Sequence, residues 1–142
     1  MFLPLYNLEN ETDYETGTEE TQKSIVDRRG ISKSGNYPDL KLQIKEIKEW
    51  DEDLADTTKG VKAFDLNIFR FLLEKIEKAE KKYKADPEVV DTILLLEVGV
   101  TKRWLDEWKV EKGDKMQKYS FKNIFCIAKA SNLNDTYIFK LQ

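Results

Sequence analysis

The 142 residues carry 24 basic and 27 acidic side chains, a net charge of −3 and no histidine. The lack of histidine removes the commonest general base and the usual nitrogen ligand of zinc, so most hydrolase and metalloenzyme templates are excluded. A chain of this length suits one domain, and we expect no enzymatic activity, no metal and no cofactor.

No apolar stretch approaches the roughly 20 residues of a membrane span, and the first residues lack the basic start of a signal peptide. We expect a protein that is cytoplasmic or incorporated in a virion, and not secreted. Twenty lysines against four arginines are typical of AT-rich coding, as in many bacteria and their phages. The only thiol, Cys126, lies in an apolar pattern and is predicted to be buried rather than nucleophilic.

The first third of the chain is polar. Residues 7–36 contain five sizeable apolar side chains, too few to offset roughly 1–2 kcal/mol of backbone entropy per residue. We therefore predict an extended N-terminal arm over 1–37, ordered by a partner, and an α-helical domain over 38–142. The apolar tip of the arm is typical of a docking peptide, with a frayed end as the alternative. The residues expected to bind the partner are Phe2, Leu3, Leu5 and Tyr6.

Apolar side chains three or four residues apart predict a first helix from about Asp39 to Asp53. A short strand stays open as an alternative at its start. The alternation that favours a strand is Leu40, Leu42 and Ile44 against Lys41, Gln43 and Lys45.

The second helix is predicted to begin at Asp65, a good N-cap with Phe64 and Phe69 at the positions of a hydrophobic staple. Its first half, including Leu72, is expected at the centre of the core. Acid-before-base pairs four residues apart indicate that its second half faces water.

Three more helices are predicted: one opened by Asp86 and Pro87 and ended by Gly99, a short one after Thr101, and one from Ser120 to about residue 132. The tail at 136–139 is β-prone, and either pairs with a strand edge or packs on the helices. The expected fold is mainly α. It is a small bundle of about five helices, with the extended polar arm and, at most, a short C-terminal strand.

The window 91–110 resembles a helix-turn-helix DNA-binding unit, although Leu95 stands where a small residue is usual. The resemblance implies that Thr101, Lys102 and Arg103 contact phosphates or guanine. A corner between two helices of an ordinary bundle has the same pattern of apolar positions and is the structural alternative. The residues that match the apolar and glycine positions of the motif are Leu94, Val98, Gly99, Val100, Leu105 and Trp108.

These patterns favour a non-enzymatic structural or interaction subunit of a larger assembly, of the kind found in a phage virion, whose arm docks on neighbouring chains. The partners expected are other protein subunits in a homo- or hetero-oligomer, with nucleic acid not favoured and no membrane. The alternatives are a helix-turn-helix DNA-binding protein and a small inhibitor that docks a host protein.

Overall fold

The computed structural model of the chain describes residues 2–19, 25–47, 61–98, 117–128 and 137–142. Within these ranges a six-stranded mixed sheet has a helix on each face. The helices are α1 (Phe2–Asn10) and α2 (Val61–Tyr83), and a short 3-10 helix spans Val89–Asp91. The strands are β1 (Tyr14–Glu19), β2 (Arg28–Ser32), β3 (Leu40–Ile47), β4 (Thr92–Val98), β5 (Asn123–Ala128) and β6 (Tyr137–Lys140).

The strands lie in the sheet in the order of the chain. β1, β2 and β3 are antiparallel neighbours, β3, β4 and β5 run parallel, and β6 is antiparallel to β5. Parallel neighbours need a long connection, and the one between β3 and β4 contains α2. β4 is central, and its residues Ile93, Leu94, Leu95 and Leu96 are each at most 2% exposed. Such an uninterrupted apolar run is typical of a parallel strand covered on both faces.

Two apolar layers cover the sheet. Under α1 the core contains Leu40 and Leu42 of β3 with side chains from β4, β5 and β6. On the other side, α2 contributes three buried residues, Leu72, Ile76 and Ala79. Leu72 is 0% exposed, so its predicted place in the core is confirmed.

The N-terminal segment is part of this fold. The Phe2 ring lies 5.4 Å from that of Phe125 in an edge-to-face contact. Asn7 joins α1 to β1, because its Nδ2 donates to the Tyr14 carbonyl (2.9 Å) and its Oδ1 accepts the Tyr14 N–H (2.8 Å). Leu3 packs over Gly30, where an added Cβ would lie 3.1 Å from the Leu3 Cδ2. The chain's own sheet therefore orders residues that are too polar to fold alone.

The predicted mainly α bundle of about five helices with an extended arm is wrong. The segments expected as helices around 40–47, 92–98 and 123–128 are strands β3, β4 and β5. Each is a short apolar or alternating run, which periodicity alone does not separate from a helix. The strand alternative for β3 and the edge pairing of the tail are confirmed, since the tail forms β6. α2 is a helix as predicted, but it begins at Val61 rather than near Asp65.

Asp13 fastens the turn that follows β2. Its Oδ1 accepts a hydrogen bond from the Ser32 hydroxyl (2.6 Å) and its Oδ2 accepts the Ser34 N–H (2.7 Å). The bond from Ser32 is the main cause that lowers the Asp13 pKa below its ordinary 3.8. A group whose pKa is lower in the folded state than in the unfolded state stabilises the fold at pH values above its unfolded-state pKa. This contribution is lost as the pH falls through the folded-state pKa.

We therefore predict that Asp13→Asn flattens the fall in stability as the pH is lowered from about 5 to about 2.5. Urea unfolding at a series of pH values measures this slope. Glu9→Gln, at an exposed carboxylate of α1, is the control that should keep the wild-type slope. Parallel pH profiles for Asp13→Asn and the wild type would show that the turn does not depend on this carboxylate.

Neither helix in the described part of the chain is long and apolar enough to cross a membrane.

Candidate functional site

Strand β3 has a polar side that a strand covered on both faces should lack. Leu40 and Leu42 belong to the core under α1, so the alternate residues Lys41, Gln43 and Lys45 face the side of α2. Lys41, at the start of the strand, is accounted for by an ion pair with Glu88 (Nζ to Oε1, 3.3 Å). The other two polar side chains need a different explanation.

Gln43 is the clearest exception in the interior. The residue is 2% exposed, and its Oε1 accepts no hydrogen bond from any described residue. A buried acceptor without a partner costs about 1–3 kcal/mol, and native proteins contain few of them. Among the described residues it is the one buried side-chain oxygen or nitrogen without a hydrogen-bond partner.

Asp27 lies directly beside Gln43. Its backbone N–H donates to the Leu42 carbonyl (2.8 Å), and its Oδ2 accepts the Ile44 N–H (2.8 Å). These two partners flank Gln43 in β3. The preceding Ile25 and Val26 are fully buried and anchor the chain where it enters β2. A carboxylate has lone pairs beyond the one used by a single N–H, so Asp27 can also act as a ligand.

Lys45 completes the group, two residues after Gln43 on the same side of β3. It is half-buried, and its Nζ lies 6.0 Å from the centre of the Tyr83 ring at the end of α2. Burial is the main cause that lowers the Lys45 pKa, Lys82 lowers it further, and Asp27 raises it. Lys75 and Lys78 of α2 lower it as well. The charged groups that affect the Lys45 pKa among the described residues therefore include one carboxylate and three lysines.

The oxygen atoms at this site suit a hard divalent cation. The described residues contain no group of three or more histidine, cysteine or acidic side chains that could enclose a metal ion. Mg²⁺ is commonly held by only one or two carboxylates, several waters and the phosphates of a substrate. Asp27 and Gln43 supply one carboxylate and one amide oxygen, so they could hold such an ion when water or a phosphate provides the remaining ligands.

The residues predicted to bind a partner lie in the chain's own core or against it. Phe2 and Leu3 are buried, whereas Leu5 and Tyr6 are partly buried and pack on the same cluster. In this conformation Phe2 and Leu3 lie inside the chain's own core. The docking role itself stays a prediction.

The helix-turn-helix interpretation of 91–110 is wrong, because the part expected as its first helix is strand β4. The residues proposed to contact DNA, Thr101, Lys102 and Arg103, lie outside the described residues. Cys126 is fully buried as predicted, and burial raises the pKa of its thiol.

The sequence interpretation missed Asp27, Gln43 and Lys45 as a group. The available signal was the alternation along β3, which was recognised as a strand pattern but not weighed as a site. Polar residues are ordinary on a strand with one wet face. They become informative only when both faces are known to be covered.

Comparisons with protein-family models, curated proteins and solved structures found no match for this chain.

Proposed function

We propose that the protein hydrolyses phosphodiester bonds of nucleic acid with a divalent cation bound at Asp27 and Gln43. The observation that carries the proposal is the buried Gln43 Oε1, which lacks a hydrogen-bond partner among the described residues. Asp27 pairs with β3 on either side of Gln43, and Lys45 follows Gln43 by two residues. Oxygen ligands next to an ammonium group are the chemistry expected where a cation and a phosphate meet.

Each residue has a definite role in this reaction. The Asp27 carboxylate and the Gln43 carbonyl oxygen would hold the cation, and the cation would polarise the phosphoryl group and lower the pKa of a bound water. The Lys45 ammonium group donates to a non-bridging phosphate oxygen and stabilises the charge that develops there. The attacking water would lose one proton to solvent as its oxygen bonds to phosphorus, the ester P–O bond would break, and the leaving oxygen would take a proton from solvent.

The basic residues near the site favour a polyanionic substrate. Lys75, Lys78 and Lys82 are spaced three and four residues apart, so they lie along one stripe of α2. All three lower the pKa of Lys45. Lys78 and Lys82 are exposed. Contacts of lysine with successive phosphates supply most of the sequence-independent affinity for nucleic acid. This local stripe, rather than the overall charge of −3, supports a nucleic-acid substrate.

The cleavage assay uses single- and double-stranded DNA and RNA with Mg²⁺ or Mn²⁺, and EDTA as the blank. We predict cation-dependent cleavage by the wild type and a fall of about 10²–10³ in rate for Asp27→Asn, because the variant loses a charged ligand of the cation. Asp39→Asn, which neutralises an exposed carboxylate just before β3, is the matched control and should keep the rate.

Cleavage that is absent with every substrate and cation, or that persists unchanged in Asp27→Asn, would rule the proposal out. The expectation of a non-enzymatic assembly subunit remains a prediction, and a chain inert in this assay would favour it.

A further inference from the structure

We infer that the cation and the nucleic-acid phosphate bind to this site cooperatively, each providing charge that the other needs. The inference rests on the proposed hydrolase function and concerns how its site is filled. Asp27 brings one negative charge, Gln43 brings none, and Lys45 brings one positive charge. Together these three residues carry no net charge in the free protein.

A neutral site is a poor trap for a divalent cation. Affinity for such ions rises with the number of charged ligands, and a second carboxylate in place of Gln43 would add one. Lys75, Lys78 and Lys82 add positive charge near Lys45, since each of them lowers its pKa. A phosphate that arrives next to Lys45 reverses this balance, because it adds negative charge and an oxygen ligand where the cation binds.

The unpartnered Gln43 oxygen agrees with this order of events. In the free protein it accepts no hydrogen bond from the described residues, so its desolvation is not compensated there. The Gln43 amide oxygen offers the cation a ligand that carries no net charge. The protein thereby avoids a second buried carboxylate, which would need a counter-ion. The cation that binds together with the substrate then gives the Gln43 oxygen the partner that it lacks.

Two measurements test the coupling. Calorimetric titration of Ca²⁺ into the free protein gives the affinity for the cation alone. Anisotropy of a labelled DNA oligonucleotide, with Ca²⁺ or with NaCl of equal ionic strength, gives the factor by which the cation tightens DNA binding. Gel analysis of the recovered DNA checks that the oligonucleotide was not cleaved during the binding measurement. By linkage, the same factor describes how DNA tightens cation binding, and we expect it to be about 10- to 100-fold.

Two variants should shift the affinity for the cation alone. Gln43→Glu adds a second carboxylate and Lys45→Gln removes the neighbouring positive charge, so both should bind Ca²⁺ about tenfold more tightly without DNA. The second variant keeps the test open if the first does not fold. Lys140→Gln, an exposed lysine on β6, makes the same change of net charge away from the site and should behave as wild type.

Tight Ca²⁺ binding by the free wild-type protein, or equal DNA affinity with Ca²⁺ and with NaCl, would overturn the inference while cation-dependent cleavage could still stand. Unchanged Ca²⁺ affinity in every variant that folds would also overturn it. A wild type that neither cleaves nucleic acid nor binds it with Ca²⁺ would remove both the inference and the proposed function.

Discussion

Gln43→Met is expected to make the protein more stable and to slow cation-dependent cleavage. Methionine has a similar volume and no oxygen, so the variant removes the buried acceptor that has no partner among the described residues. The free energy of unfolding should rise by at most the roughly 1–3 kcal/mol that an unpartnered buried acceptor costs, and each kcal/mol corresponds to roughly 2–4 °C in melting temperature. Cleavage should slow by no more than the roughly 10²–10³-fold expected for Asp27→Asn, because the cation loses a neutral ligand. Opposite effects on stability and activity are characteristic of a functional site.

Urea unfolding and the cleavage assay on the same preparation check both halves of this prediction. Lys118→Met, at an exposed position, is the control and should change stability by less than about 0.5 kcal/mol. If Gln43→Met were instead destabilised and cleaved at the wild-type rate, Gln43 would be a structural residue and the site would lose its strongest support.

Phe2→Ala is expected to cost about 3–5 kcal/mol, a large share of the 5–15 kcal/mol that typical domains have. Phe2 is 4% exposed and packs on Phe125 of β5 and Tyr6 of α1. Its truncation leaves a cavity between α1 and the sheet that these rings cannot fill without moving. The melting temperature by circular dichroism, with urea unfolding for the free energy, measures the loss.

Leu8→Ala provides the matched control on the same helix. Leu8 is 80% exposed, so its loss should change stability by less than about 0.5 kcal/mol. A free docking arm makes the reverse prediction, since Phe2→Ala would then weaken assembly and leave the melting temperature alone. Equal melting temperatures for Phe2→Ala and Leu8→Ala would mean that α1 does not stabilise the sheet.

Local patterns were sufficient for some of the structure. α2 is long, amphipathic and rich in pairs of opposite charge, so its helical state and the burial of Leu72 follow from its own residues. Cys126 and the β-prone tail were also placed correctly. In each case the neighbours in sequence carry the deciding information.

The strands required information from distant residues. TILLLEV at β4 and NIFCIA at β5 are short apolar runs whose state depends on whether parallel neighbours exist to accept their hydrogen bonds. The N-terminal residues show the same dependence. Phe2 gains its burial from Phe125, near the other end of the chain, and counting apolar groups along 7–36 leaves that contact out.

The candidate site combines both kinds of information. The sequence by itself determined which side chains alternate along 40–45, because a strand turns successive residues to opposite faces. Only the tertiary structure placed Asp27 beside Gln43, through backbone pairing with Leu42 and Ile44. It also covered that face with α2 and left the Gln43 oxygen buried. A polar side chain indicates a candidate site only when it is buried away from solvent. That burial depends on elements that are far away in the chain.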